Sequence, residues 1–491
     1  MLGIGRTGKS RPPGRMTPAV KVFAGRRLQC VFLVLGLGGC QEPDATNLVD
    51  PEAILERLQT EDRMNAILAL APDVENQLRA LPSGPDRGPL HGLSVLVKDN
   101  IHVRGMPTTA GSKALLGNMA ETDAPVIANL RRTGAIVVGK TNLSEWANFR
   151  STSSTSGWSS VGGLTTNPHD SSCSACGSSS GSGAAVGGGL VQAAIGTETD
   201  GSITCPAAMC GIVGLKPTVG LLSTEGIIPI AASQDTAGPM TRDVRLAARM
   251  LSAMAGEGSQ DYEAALRADA LDGVRLGVLL PLCDRYGETV AATFTEARRI
   301  LESAGATLVE ITEIPEMRRI SQLEWALLLR EFKRDLNLYL AATPPAVKTR
   351  TLAELIAFNE AHASEVMPYF GQEIFEQSEA TMGGEDPNLP AMAAEARNLA
   401  GPEGIDRLLA AYDCEALIAP TTGRAFPISL QDGDSFQGAA TTLPAVSGYP
   451  HLTVPMGEAG SLPVGLSLMG PARSEAELLA LGYAFEQARG D

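Results

Sequence analysis

Two hydroxyl-rich runs carry the residues best suited to covalent chemistry. They are Gly177-Ser178-Ser179-Ser180-Gly181-Ser182 and Thr197-Glu198-Thr199-Asp200-Gly201-Ser202-Ile203, and neither contains a histidine. A serine nucleophile set in such a run must lose its proton to a base from elsewhere. Lys98 is the candidate base, because the apolar, strand-like stretch Leu93 to Val97 delivers one cation to its end, where burial disfavours the charged ammonium. To accept a proton the amine must be neutral, so its pKa must fall from about 10.4. Ser178 then carries protons between Ser202 and Lys98. Gly201 has no Cβ to block close approach, so the backbone N–H groups of Thr199, Asp200, Gly201 and Ser202 can turn inward as an oxyanion hole. These pieces suit acyl transfer through an acyl-serine intermediate, with neither metal nor cofactor.

Competing chemistries fit less well. The histidines His91, His102, His169, His362 and His451 show no Ser/His/Asp order with supporting motifs. Lys140 and Lys216 are alternative bases, but Lys140 reads as a loop anchor and Lys216 precedes Pro217 in a structural segment. Gly134-Ala135-Ile136-Val137-Val138-Gly139-Lys140-Thr141 matches G-x-x-x-x-G-K-[ST] literally, yet its interior is itself a strand and a helix precedes it, the reverse of a phosphate loop's setting. Cys173, Cys176, Cys205 and Cys210 have zinc-ribbon-like spacing, but two of them fall within the candidate catalytic loops. Packing, or a disulfide such as Cys173 to Cys176, suits them better than zinc.

The elements that must position these residues read as α/β layering. Ile54, Leu55 and Leu58, then Met64, Ile67 and Leu68, recur at helical spacing. Strand 93 to 97 is followed by a Gly/Thr-rich loop, a helix around Val126, Ile127 and Leu130, and a strand from Ala135 to Val138. Beyond Gly183, the apolar residues through Ile195 suit a buried helix that places the Gly/Ser loop at its N-terminus. Val274 to Leu279, a helix lined by Val290, Phe294, Ala297 and Leu301, a Gly305 cap and Thr307 to Ile311 form a βαβ-like passage. Residues 315 to 400 suggest a helical cap. Strand signals at Ala416 to Ala419, His451 to Val454 and Val464 to Leu468, with a closing helix from Glu475, complete the sheet. No internal repeat is evident.

The first 39 residues hold Arg6, Lys9, Arg11, Arg15, Lys21, Arg26 and Arg27, no acid, and the short apolar run Val31 to Leu37, the pattern of an export signal. Met16 is a plausible start within it. The ending Leu37-Gly38-Gly39-Cys40 resembles a bacterial lipobox, which implies cleavage before Cys40, acylation of its thiol and a tether over residues 40 to 50. An ordinary secretory signal with Cys40 unmodified is the alternative. The expected location is the bacterial periplasm, with a lipid anchor as the only membrane attachment. The formal charge of −16 deepens once this basic segment is removed, which disfavours nucleic acid as a partner.

Taken together, the motifs resemble the amidase signature family, most closely its bacterial peptide-amidase branch. The resemblance rests on Lys98-Asp99-Asn100, Thr108 to Ser112, Gly139-Lys140-Thr141-Asn142, Cys176 to Ser182, Gly196 to Ser202, Gly211 to Thr218, Ser233 to Met240 and Leu462 to Leu466. It implies an α/β/α sandwich around a large mixed sheet over residues 51 to 491, and a catalytic lysine, a serine with a cis peptide bond and an acylated serine at Lys98, Ser178 and Ser202. It also implies hydrolysis of a carboxamide to acid and ammonia, with C-terminal peptide amides favoured over small aliphatic or aryl amides. A non-catalytic peptide-binding lipoprotein and an ammonia-delivering component of a tRNA amidotransferase are rival readings. Many family members read Gly-Gly-Ser-Ile-Arg at the nucleophile; here Asp200 replaces the first glycine, as in the peptide-amidase branch, and Thr204 stands in place of the arginine.

Overall fold

The computed structural model describes residues 51–80, 88–283 and 285–490. The export signal, the tether and Cys40 therefore lie outside the described residues. In chain order the strands are β1 (Ile67–Leu70), β2 (Ser94–Lys98), β3 (Ile136–Thr141), β4 (Trp158–Ser159), β5 (Gly163–Leu164), β6 (Ala193–Glu198), β7 (Val213–Lys216), β8 (Thr236–Thr241), β9 (Arg275–Leu279), β10 (Thr307–Ile311), β11 (Ala416–Pro420), β12 (His451–Ala459) and β13 (Leu462–Met469). All but β4 and β5 join one 11-stranded sheet, ordered β1-β3-β2-β6-β8-β7-β12-β13-β11-β9-β10. The sheet is mixed. β3, β2 and β6 run parallel to one another, as do β11, β9 and β10, and the strands between β6 and β11 alternate in direction.

Both faces are covered, as successive strand side chains demand. Gly482 of the helix Glu475–Arg489 sits against Leu452, Val454 and Leu468 on one face, while Ala208 of the helix Thr204–Cys210 meets Gly465 on the other. The first layer continues through helices Val244–Ala255 and Glu288–Ser303, both touching Glu475–Arg489. Asp243 starts the former by accepting the Leu246 N–H at 2.7 Å. Val290, Phe294, Ala297 and Leu301 bury the apolar stripe of the latter, with Gly305 at φ +100° turning the chain toward β10.

Two expectations fail locally. Met64, Ile67 and Leu68 do not continue a helix: Pro51–Thr60 ends, and the Asp62 carboxylate takes the N–H groups of Ala66 and Ile67. The chain then pairs antiparallel with β3 as an edge strand. The expected helix through Ile195 stops at Gly187. Gly189 turns at φ +79°, and Ala193–Glu198 becomes a central strand between β2 and β8. An all-apolar run does not distinguish a buried helix from a buried strand; here sheet pairing decides.

Residues 317 to 400 form the helices Met317–Ala342, Leu352–Ala361, Glu373–Glu379 and Leu389–Ala400. Phe332 and Phe375 of this segment pack with Trp146 and Phe149 of the main body.

Candidate active site

Because β2 and β6 are parallel neighbours with Val97 opposite Ile195, their C-terminal ends bring Lys98 and Thr197 together. The buried Lys98 Nζ lies 2.8 Å from Ser178 Oγ, 2.8 Å from Thr197 Oγ1 and 3.1 Å from the Thr197 carbonyl oxygen. Asn100 Nδ2 donates to the same Thr197 hydroxyl at 2.9 Å. Burial drives the Lys98 pKa down to about 7, against the upward pull of the Glu198 and Asp235 carboxylates. Asp235 is itself raised to about 7 by burial, although it accepts from Thr199 Oγ1 at 2.6 Å and from the Ile230 and Ala231 N–H groups.

Ser178 follows a cis Gly177–Ser178 peptide bond and precedes the helix Ser180–Gly187. Its neighbour Ser179 donates a backbone N–H to the Ser202 carbonyl at 3.1 Å, which ties the two hydroxyl-rich runs together. Gly201 adopts φ +79°, and a Cβ there would stand 3.3 Å from Thr441 Oγ1. Beyond Ser202 the Glu198 carboxylate accepts the N–H groups of Ile203 and Thr204 at 2.7 and 2.9 Å. Among the described residues, the N–H groups of Thr199, Asp200, Gly201 and Ser202 make no hydrogen bond within the protein. All four residues line one cavity.

The long helix Met317–Ala342 reaches this loop. Its buried Glu324 accepts from Gln234 Nε2 at 3.0 Å, and the same amide group donates to the Thr199 carbonyl at 3.3 Å. Burial, then the adjacent Asp200 carboxylate, push the Glu324 pKa well up. Thr442 Oγ1 donates to Asp200 Oδ2 at 3.0 Å. Ser202 opens onto a cavity of about 580 Å³, walled by Phe149, Trp325, Leu328, Ile374 and Phe436, whereas Lys98 and Ser178 are buried behind it.

The other sequence candidates take separate roles. Lys140 Nζ is 2.8 Å from Asp99 Oδ1 in a buried ion pair and donates to the Pro107 carbonyl at 3.1 Å, so it anchors the loop after β2. Its phosphate-loop-like motif runs along β3 itself. Buried Lys216 donates to the Pro217 carbonyl at 3.1 Å. The cysteine expectation requires correction: Cys176 pairs with Cys205 across a Cα–Cα distance of 6.0 Å, not with Cys173. Cys176 sits at φ +59° and faces the helix Thr204–Cys210, while Cys173 bridges to Pro427 and is buried with Met209 and Phe426. Sequence reasoning missed Thr197, Asn100, Asp235 and Glu324. The first two lie inside motifs that carry Lys98 and Ser202; Glu324 sits in a helix with no local signal.

Residues 52–479 match the family model described as Amidase. The chain belongs to the amidase signature family. Among solved amidase-family structures, native peptide amidase from Stenotrophomonas maltophilia superimposes with a TM-score of 0.84 at 47% identity, covering 90% of this chain and 93% of that one. A probable amidase from Arabidopsis thaliana is 37% identical over 81% of this chain and 77% of its own length. A mandelamide hydrolase from Pseudomonas putida is 33% identical over 89% of this chain and 87% of its own length. The expected fold and an amidase hydrolase activity both follow from this membership.

Proposed function

We propose that this amidase hydrolyses C-terminal amides of peptides to acid and ammonia, using Ser202 as nucleophile, Ser178 as proton relay and Lys98 as base. The observation that carries the reading is the Lys98 Nζ to Ser178 Oγ contact of 2.8 Å at a fully buried amine. A neutral amine has two N–H donors and one lone pair. Its donors match the Thr197 carbonyl and hydroxyl oxygens, and its lone pair is left for the Ser178 hydroxyl.

In the first step Ser178 passes its proton to Lys98 and takes that of Ser202, whose Oγ attacks the amide carbon. The resulting oxyanion is stabilised by backbone N–H groups from Thr199 to Ser202. Lys98 returns the proton through Ser178 to the departing nitrogen, ammonia leaves, and water repeats the sequence on the acyl-serine. The peptide preference is supported by the similarity to peptide amidase and by a cavity whose volume and aromatic walls suit an amino-acid side chain. The test is incubation with an amidated peptide, a small aryl amide and an N-methylamide control. Ammonia release with conversion of the primary amide alone is expected; turnover of small aryl amides but no peptide amide would favour the second substrate class.

A further inference from the structure

The Cys176–Cys205 disulfide stands where two reacting segments meet. Cys176 precedes Ser178 by two residues and Cys205 follows Ser202 by three. Both line the 580 Å³ cavity that holds Ser202. On its other side lies a small apolar cluster of Cys173, Met209, Ala425, Phe426 and Leu462, separate from the core beneath the sheet.

Ser179 also joins the segments: its hydroxyl donates to the Thr197 carbonyl at 3.2 Å and accepts the Thr197 N–H at 3.3 Å. Ser179 N–H donates to the Ser202 carbonyl at 3.1 Å. Cys205 N–H is spent on Gly201 within its own segment, and the Cys176 carbonyl accepts from Ser180 Oγ within its own. By contrast, Lys98 is fixed from the sheet, through β2 and Thr197 of β6. The disulfide thus acts on the relative placement of Ser178 and Ser202 more than on the base.

We propose that the Cys176–Cys205 disulfide is a positioning element for the reaction, holding the Ser178 loop against the Ser202 segment, so that cleaving it slows acylation while leaving substrate binding and the fold in place. This rests on the roles proposed above for Ser178 and Ser202. Reduction breaks the Sγ–Sγ bond and forms two thiols; an external dithiol supplies two electrons and two protons and closes to its own disulfide. The freed loop no longer holds Ser178 within the narrow geometry that proton relay requires. A displacement of about 1 Å at such a site costs about 10² in rate.

The experiment uses the full-length protein, oxidised, reduced with a dithiol and then reoxidised. Thiol counting and peptide mapping verify the state of Cys176 and Cys205. Fluorophosphonate labelling of Ser202, kcat and KM for an amide, and thermal unfolding are measured for each state. Expected is a fall in labelling rate and kcat of about 10² on reduction, KM within about threefold, a retained unfolding transition, and recovery on reoxidation. The Cys176→Ala/Cys205→Ala variant should resemble the reduced enzyme, and Cys414→Ser, remote from the site, should respond to dithiol as wild type does. Unchanged labelling and kcat after complete reduction would overturn the proposal. Failure of the oxidised enzyme to label at Ser202 would instead overturn the nucleophile assignment on which it rests.

Discussion

Replacing Lys98 probes the proton path at its source. An ordinary lysine near pH 7 is neutral in only about one molecule in 2,500. With its pKa driven by burial to about 7, Lys98 is neutral in roughly half the molecules, a gain of about 10³ in competent base. The sign follows from the chemistry: the reactive form is deprotonated, so kcat/KM should rise about tenfold per pH unit on the acid side and flatten above about pH 8. Lys98→Ala should remove this limb and lower the plateau by about 10² to 10⁴. Lys98→Arg should be equally impaired, because a guanidinium keeps its proton across this range. The assay is kcat/KM for one amide from pH 5 to 10, with circular dichroism verifying that each variant is folded. Persistence of the wild-type limb in Lys98→Ala would refute the assignment, and the Lys140–Asp99 pair would be the next group to examine.

Asp235→Asn removes a carboxylate that raises the Lys98 pKa, so the acid limb should move to lower pH, read from the same profile; a shift to higher pH contradicts the electrostatics. Gly201→Ala forces a side chain into a φ of +79° near Thr441, a strain of about 1–2 kcal/mol. It should lower kcat by about 10² if it displaces an oxyanion donor, with steady-state kinetics as the check. For the residues preceding Pro51, intact mass of the mature protein should show an acylated N-terminal Cys40, and a mature chain beginning elsewhere without acyl mass would exclude lipidation.

Much of the candidate site is legible in the sequence because its parts are local. Lys98 ends an apolar strand, and the Gly/Ser runs around Ser178 and Ser202 mark backbone that must turn closely. The βαβ passage from Arg275 to Ile311 and the C-terminal strands also follow from periodicity and glycine caps. What stayed hidden depends on pairing at long range. Whether Ala193–Glu198 is helix or strand is decided by β2 and β8 on either side, and Ile67–Leu70 by its partner β3. The partner of Cys176 was ambiguous for the same reason, since spacing favours the nearby Cys173 while the folded loops present Cys205. Glu324 reaches the loop that carries Ser202 only through packing of the helix Met317–Ala342, with Gln234 between them.

The most direct test of the central claim is to trap the nucleophile. The wild-type enzyme is treated with a fluorophosphonate, digested and mapped by mass spectrometry, alongside Ser202→Ala and Ser178→Ala. Modification of Ser202 in wild type, none in Ser202→Ala, and slow but detectable modification at Ser202 in Ser178→Ala are the results expected. Near-native amide turnover in Ser202→Ala, or wild-type label carried on a serine other than Ser202, would contradict the assignment of Ser202 as the residue that is acylated.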